Sequence, residues 1–546
     1  MKISLLTVKN FKKFRNREFP FNERVNIIVG DNDTGKSTLL ECIELVINGY
    51  YRGKPISAQL SPELFNAEAT SDYLDSDKKA ENLPEIVVEA FIDDCPKYKG
   101  TNNSKSINSG GACIRICFDE DLANTYDELI GSGADIQSIP TEFYKVEWFD
   151  FAWNSIKFLN REAKSLLIDP TRLHPTYGKN QYITNIIDST LTKREQALLS
   201  LGYRELKSAF NEQEQVKELN DKLDADNSVT QGKLDVVADM AQSKSIESGL
   251  QLAVDDVAFP MIGKGEQNQI QIKLALANKS KNIDFVMVEE PENHLSHINL
   301  CKLINSISQQ INTQLFLTTH SSYVLNKLNL ENLCLLGKNY TQLKSIDPKV
   351  SKRLQRLPGY DTLRVVLSSK IVLVEGPSDE LILKKIYFQQ NQILPEEDGI
   401  DIIVVRGIGF KNYIEIGKHI GTKIHVVKDN DGDYDANITA WSKGLSCSVF
   451  SSSDNDLNSL EPAMIAINAS TEDDLDKFAK VALSTTTYNK YIKKKRIENK
   501  VEFFRSWYAA DGKNHGSRKV DSAVRIFDSD ESIKYPDYLV KALKFD

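Results

Sequence analysis

The feature that most narrows what this chain can fold into is the turn "GDNDTGKST", residues 30–38, wedged between two segments of opposite habit. Before it stands the apolar run "VNIIV", which reads as a buried strand. After it, "KSTLLECIELVINGY" repeats apolar residues at helical spacing. The turn fits G-x-x-x-x-G-K-[ST] from Gly30 to Ser37. Its glycines let backbone N–H groups face inward around phosphate oxygens, Lys36 brings a charge to the terminal phosphates, and the Ser37 hydroxyl can ligate Mg²⁺. Asn32, Gly35 and Thr38 complete the expected contacts, and the expected ligand is ATP with its Mg²⁺.

Two later stretches extend this reading. In "FVMVEEPENHLSH" a strand pattern ends in Glu289 and Glu290. Adjacent carboxylates at a strand tip can divide the work, one holding Mg²⁺ and the other orienting a water. The plain alternative is two acids capping a helix. "LFLTTHSS" then puts His320 at the tip of the next strand, where a γ-phosphate sensor belongs. Taken together with Gly30–Ser37, these residues resemble the head domain of ABC-type ATPases of the structural-maintenance and RecF kind. The resemblance implies a head folded from the two ends of an interrupted sequence, with a signature loop before the acidic strand. "GKGEQNQIQIKLALA" stands there, offering Gly263 and Gly265. The sequence departs from the pattern twice: Gly-Lys-Gly replaces Ser-Gly-Gly, and the first acid is Glu289 rather than aspartate. ATP binding is still implied, whereas a longer acid shifts the metal and weakens the case for fast hydrolysis. If the signature works as in relatives, ATP lies between two heads and the assembly is at least a homodimer.

The texture of the chain divides it into an α/β head at 1–184, a helical insertion at 185–245, the rest of the head at 246–345, a connector at 346–366 and a second α/β domain at 367–546. The insertion, "LTKREQALLSLGYRELKSAFNEQEQVKELNDKLD", is charged, proline-free and apolar at helical spacing. It reads equally as a dimerisation arm or as helix packed on its own domain. Residues 50–140 are polar, with "GTNNSKSINSGG" among them, and read as an exposed insertion.

The second domain strings "KIVLVEG", "IDIIVVRG", "KIHVVKD" and "CSVFSS" between helical segments, which implies βαβ units on a parallel sheet. Glu375 ends the first strand, Gly376 turns, and Asp379 and Glu380 start the helix. The third strand ends in "VVKDNDGD", with Asp429 and Asp431 on one face. Parallel strands deliver their C-terminal ends to one edge. Carboxylates converging there repel unless cations neutralise them, and oxygen donors favour Mg²⁺ or Mn²⁺. This pattern resembles a Toprim domain, and an ABC head followed by Toprim is the arrangement of OLD-family nucleases (overcoming lysogenization defect). By that resemblance "DLNSLEPAM" offers Asp456 and Glu461, and "GSRKVDSAVRIF" offers Lys519 as the cation of the transition state, with Arg518 as competitor and a solvated surface lysine as the alternative. "YNKYIKKKRIENK" is either a solvated helix face or a phosphate-tracking surface.

Composition bounds the partners. The 546 residues are 41% apolar and 27% charged, with no apolar run long enough to span a bilayer and no signal-peptide core at the N-terminus, so a cytosolic protein without a membrane partner is expected. A net charge of −9 argues against wholesale coating of nucleic acid but permits a local basic patch. Seven scattered cysteines, with Cys113 and Cys117 the nearest pair, read as reduced thiols rather than a zinc site. The family resemblance implies an ATP-binding, two-metal DNA endonuclease in prokaryotic defence against phage, with a reverse transcriptase and retron DNA as the suspected partners. The alternatives are an ATP-dependent repair clamp that does not cut, and a topoisomerase- or primase-like enzyme, whose tyrosine gate or zinc module is not recognisable.

Overall fold

The structure is a computed structural model that describes residues 1–157, 160–169, 192–225, 235–238, 253–277, 283–293, 295–310, 313–337, 339–343, 347–356, 361–405, 409–510 and 518–545. It divides into two compact units, Met1–Ile28 with Asn32–Thr319, and Val29–Asp31 with His320–Asp546.

In the first unit a parallel sheet runs in the order Ser165–Ile168, Phe285–Glu289, Gln314–Thr318, Val25–Val29. The last two strands are buried along their whole length. Sheets covered on both faces demand such continuous apolar runs. Gln314, the polar side chain that opens one of these buried strands, is itself buried and satisfied: it accepts the Ile3 N–H at 2.7 Å and donates to the carbonyls of Ile3 and Asn22 at 2.9 and 2.8 Å. Ile3 lies in an antiparallel sheet of Lys2–Phe11, Phe14–Pro20, Ile86–Asp93, Ser109–Phe118 and Tyr144–Asp150, so Gln314 pins one sheet to the other. Helix Lys36–Asn48 packs on strands of both sheets and buries Leu39, Leu40, Ile43, Leu45 and Val46.

The polar stretch 50–140 is not the exposed insertion its composition suggests. It contributes three strands to the antiparallel sheet, and the two long ones bury Val88, Ala90, Ile114 and Ile116. "GTNNSKSINSGG" is mainly the connection between them. The apolar alternation of "IVVEAFID" and "ACIRICF" outweighs the average polarity of the segment. Residues 193–225 form two helices, Lys193–Asn211 and Glu214–Ala225, which touch each other and leave Leu198, Leu201, Leu206 and Phe210 exposed. Apart from 192 and 235–238, the rest of the expected insertion lies outside the described residues. All seven cysteines are free thiols, and Cys42, Cys95, Cys113 and Cys334 are buried. No described helix is long and apolar enough to cross a membrane.

The second unit holds a four-stranded parallel sheet in the order Ile400–Val404, Lys370–Val374, Lys423–Val427, Ser448–Phe450. Helix Pro377–Asn391 follows the first of these in the chain, and Phe410–Ile420 the second. Its core gathers Val372, Val374, Ile382, Leu383, Met464 and Phe478, each worth about 1.5–3 kcal/mol of apolar burial for a Val, Leu, Ile, Phe or Met. The short C-terminal helix Asp537–Ala542 packs back on the Lys423–Val427 and Ser448–Phe450 strands, held by a 2.8 Å hydrogen bond between His425 Nδ1 and the Ala542 carbonyl.

Candidate active site

The phosphate turn is shaped by its neighbours. Gly35 sits at φ +99°, and a Cβ there would lie 2.8 Å from the Phe14 ring, so both conformation and space require glycine. Its carbonyl accepts the Leu39 N–H at 2.9 Å, which starts the helix that Lys36 opens. Lys36 is buried. Ser37 hydrogen-bonds through Oγ to Glu289 Oε1, joining turn and acidic strand. Glu290, one residue on, adopts φ +42°. Its N–H donates to the Thr318 carbonyl and hydroxyl, both at 3.1 Å, and its Oε2 accepts from Asn293 Nδ2 at 2.7 Å. Asn293 was not singled out in the sequence, although it stands three residues further along the same motif. His320 is exposed, two residues beyond the Gln314–Thr318 strand. Gly263 precedes the helix Lys264–Ala277, Gly265 lies in its first turn, and buried Gln267 donates to the Ile262 carbonyl at 2.8 Å.

The acidic site is built at the carboxyl edge of the second sheet. Glu375 directly follows the Lys370–Val374 strand, and its Oε1 accepts the Asp429 N–H at 3.4 Å. Asp379 caps its own helix: Oδ2 accepts the Gly376 N–H at 3.0 Å. This fixes Asp379 at the helix N-terminus, where a carboxylate is favoured. Asp429 and Asp431 flank Asn430, whose buried side chain anchors the turn. Its Nδ2 donates to the carbonyls of Ser452 and Asp454, both at 2.9 Å, and its Oδ1 accepts the Gly432 N–H at 2.8 Å. Asp431 itself takes φ +50° and donates its N–H to the Asn458 carbonyl at 3.2 Å.

Five carboxyl groups lie close enough at this edge to repel one another. Burial pushes the Asp379 carboxyl up to about 7, helped by the charges of Glu461 and Glu375 and opposed by its Gly376 hydrogen bond and by Lys519. Burial likewise pushes Asp429 up to about 8, with Asp379, Glu375, Glu461 and Asp431 adding repulsion. Two lysines answer this charge. Lys519 Nζ lies 2.9 Å from Glu461 Oε2. Lys428 Nζ bridges Glu375 Oε1 and Asp431 Oδ2, each at 3.7 Å, and donates to the Asp429 carbonyl at 3.1 Å. In "VVKDNDGD" nothing marks Lys428 out from a solvated lysine; its role depends on Glu375, which arrives from a neighbouring strand.

Three expected residues sit elsewhere. Glu380 pairs with Lys384 at 2.9 Å, and Lys384 also holds Glu396 at 2.6 Å. One step along a helix turns a side chain by about 100°, which takes Glu380 away from the face of Asp379. Asp456 is exposed and donates its N–H to Asp454 Oδ1 at 2.9 Å. Arg518 donates to the Trp507 carbonyl at 2.8 Å and lies over the Trp507 ring, whereas Lys519 reaches the cluster.

Among the described residues, no group of three or more acidic, histidine or cysteine side chains is drawn together as a formed metal cage. The donor set nevertheless fits a hard divalent cation: its side-chain donors are carboxylate oxygens, and burial and mutual repulsion push two of these carboxyls up toward neutrality, a load that a cation would relieve.

Comparison with known proteins agrees with this division of labour. The family model described as AAA ATPase domain matches residues 1–325, and the model described as overcoming lysogenization defect protein-like, TOPRIM domain matches residues 366–431. Among curated proteins the chain is similar to endonuclease GajA of Bacillus cereus (strain HuB5-5), 25% identical over 28% of this chain and 28% of the relative, so it spans little more than a quarter of that protein's length. Solved structures with some likeness include an SMC head bound to the C-terminal winged-helix domain of ScpA (14% identity, 63% of this chain and 99% of that one, TM-score 0.36). The SMC head domain from Thermotoga maritima is another (14%, 62% and 96%, TM-score 0.29). Scores this low carry no argument about the fold. With the family model spanning more than half of its length, the chain belongs to the AAA ATPase domain family, and behind that domain it carries the TOPRIM domain of the overcoming-lysogenization-defect type.

Proposed function

We propose that the chain is an ATP-binding, divalent-metal-dependent DNA endonuclease that cuts at the acidic edge of its TOPRIM sheet. The observation that carries this reading is the convergence of Glu375, Asp379, Asp429, Asp431 and Glu461 around two shifted carboxyls, with Lys519 on the same cluster. Glu375, Asp379, Asp429 and Asp431 would hold Mg²⁺ or Mn²⁺, with Glu461 beside them. Two such ions, when bound, activate a water and stabilise the leaving oxygen of a phosphodiester, so no covalent nucleophile is required. Lys519 offsets the charge that builds on the phosphate, and Lys428 bridges Glu375 and Asp431 and offsets their repulsion until cations arrive. At the head, Lys36 and the turn hold the ATP phosphates, Ser37 and Glu289 its Mg²⁺, and Glu290 orients water, while Gly263, Gly265 and His320 complete the nucleotide contacts.

DNA as substrate is supported by the similarity to an endonuclease. The reading extends to a homodimer formed through the heads and the 193–225 helices, to prokaryotic defence against phage, and to a reverse transcriptase with retron DNA as partner. The test is incubation of the purified protein with supercoiled plasmid and Mg²⁺ or Mn²⁺, with and without ATP, beside Asp429→Asn. Metal-dependent nicking or linearisation that the variant loses while it still binds ATP is the expected result. ATP-dependent DNA binding without cleavage under any of these conditions would overturn it in favour of a clamp.

A further inference from the structure

Beside the acid cluster lies a cavity of about 550 Å³ that the cutting chemistry does not use. Its size falls in the range of small-molecule and nucleotide pockets, roughly 300–1,000 Å³. Helix Leu460–Asn468 gives it Ala463, Ala466 and Ile467, one apolar face at helical spacing, while its first turn carries Glu461 into the acid cluster. Opposing chemistry comes from Tyr434 and Tyr538, from the hydroxyls of Ser451 to Ser453, and from Lys541, with Asp537 as the one lining acid.

Three links tie the cavity to the acids. Asn430, between Asp429 and Asp431, hydrogen-bonds the carbonyl of the lining residue Ser452. Tyr434, three residues beyond Asp431, donates its N–H to Asn455 Oδ1 at 2.9 Å, in the segment just past the three serines. Tyr538 stands on helix Asp537–Ala542, which packs on the Lys423–Val427 strand that leads to Asp429.

Two tyrosines, an apolar helix face, several hydroxyls and a single lysine suit an unstacked nucleoside with one flanking phosphate. We propose that this cavity receives a single nucleotide of the DNA strand being cut, next to the phosphate presented to the acids, which makes it a positioning site for unpaired strand. The inference rests on the endonuclease reading above. Its selectivity follows from its shape: a base inside the cavity is a base taken out of a duplex, so strands that are already unpaired, frayed or mismatched there enter at least cost.

The test uses the full chain, a fluorescein-labelled single-stranded oligonucleotide and Ca²⁺, read by anisotropy, with single abasic sites moved along the strand. Ile467→Trp fills the cavity from a partly exposed position, and Lys541→Glu reverses its cation. In wild type, an abasic site at one position is expected to weaken binding about tenfold, the loss of one stacked base. In Ile467→Trp that position is expected to lose its distinction, with Mn²⁺ binding unchanged. Wild-type affinity and an unchanged abasic profile in both variants would overturn the cavity while leaving the nuclease standing. Binding with the expected profile but no cleavage would overturn the nuclease and keep the cavity. Failure of wild type to bind DNA would overturn both.

Discussion

The two chemical centres of this chain obey one construction rule with opposite charge. Each places its reactive groups just past the carboxyl ends of parallel strands and at the start of a helix. At the phosphate turn the groups are backbone N–H, buried Lys36 and a hydroxyl, and its acids each have a neutral hydrogen-bond donor: Glu289 has Ser37 and Glu290 has Asn293. At the TOPRIM edge the groups are carboxylates that repel, so that two of them hold protons near neutrality despite Lys428 and Lys519. Topology supplies the location and the tip residues supply the sign. A centre prepared for an anion is quiet when empty, whereas one prepared for cations is electrostatically loaded.

The comparison is broken most sharply by removing one lysine from each centre. Lys519→Ala should lower metal-dependent cleavage about a hundredfold, the loss expected of one preorganised group at a developing charge, with ATP affinity untouched. Arg518→Ala, whose side chain is occupied by Trp507, should cleave within a few-fold of wild type. Equal losses in both would deny Lys519 its role. The reciprocal variant, Lys36→Ala, should weaken ATP binding about thirtyfold, as for a charged hydrogen bond, while Mn²⁺ binding at the acids measured calorimetrically stays as in wild type.

The smallest effect sharpens the contrast in electrostatic load. Asp379 at about 7 and Asp429 at about 8 keep protons that an unfolded aspartate has lost above about pH 4. The folded state therefore binds more protons across that window. Their stabilising contribution is complete below about pH 4 and is lost as pH rises through 7 and 8. In EDTA the melting temperature should fall by a few degrees between about pH 6 and about pH 8.5, and Mg²⁺ should restore more of it at the upper end, because ligation needs the ionised carboxylates. A flat profile in EDTA, or one that Asp429→Asn leaves unaltered, would remove the basis for a loaded site.

Much of this was legible in the letters because both centres depend on short motifs with fixed local geometry. Strand, turn and helix around Gly30–Ser37 and around Glu375–Asp379 follow from apolar runs and helix-start chemistry alone. What was not legible depends on direction and on distance. Asp379 and Glu380 are neighbours in sequence, yet the helix sends one to the acids and the other to Lys384. Lys428 gains its position only when Glu375 arrives from another strand, and Asn430 only when the Ser452 and Asp454 carbonyls close over it. The strands at 86–93 and 109–118 were masked by the polar connection between them, since average composition hides a pattern of period two.

The pairing of Ser37 with Glu289 spans 252 positions, and that of Ile3 with Gln314 spans 311. Loop-closure entropy must be met before contacts of such long range reward it, which makes assembly slow and late. On a ribosome adding about 5–20 residues per second, the phosphate turn emerges tens of seconds before its partner acid exists. A nascent or truncated product therefore carries the motif without the pocket. The acids from Glu375 to Glu461 emerge later still, so the edge that carries the electrostatic load forms only after the phosphate pocket has its last strand.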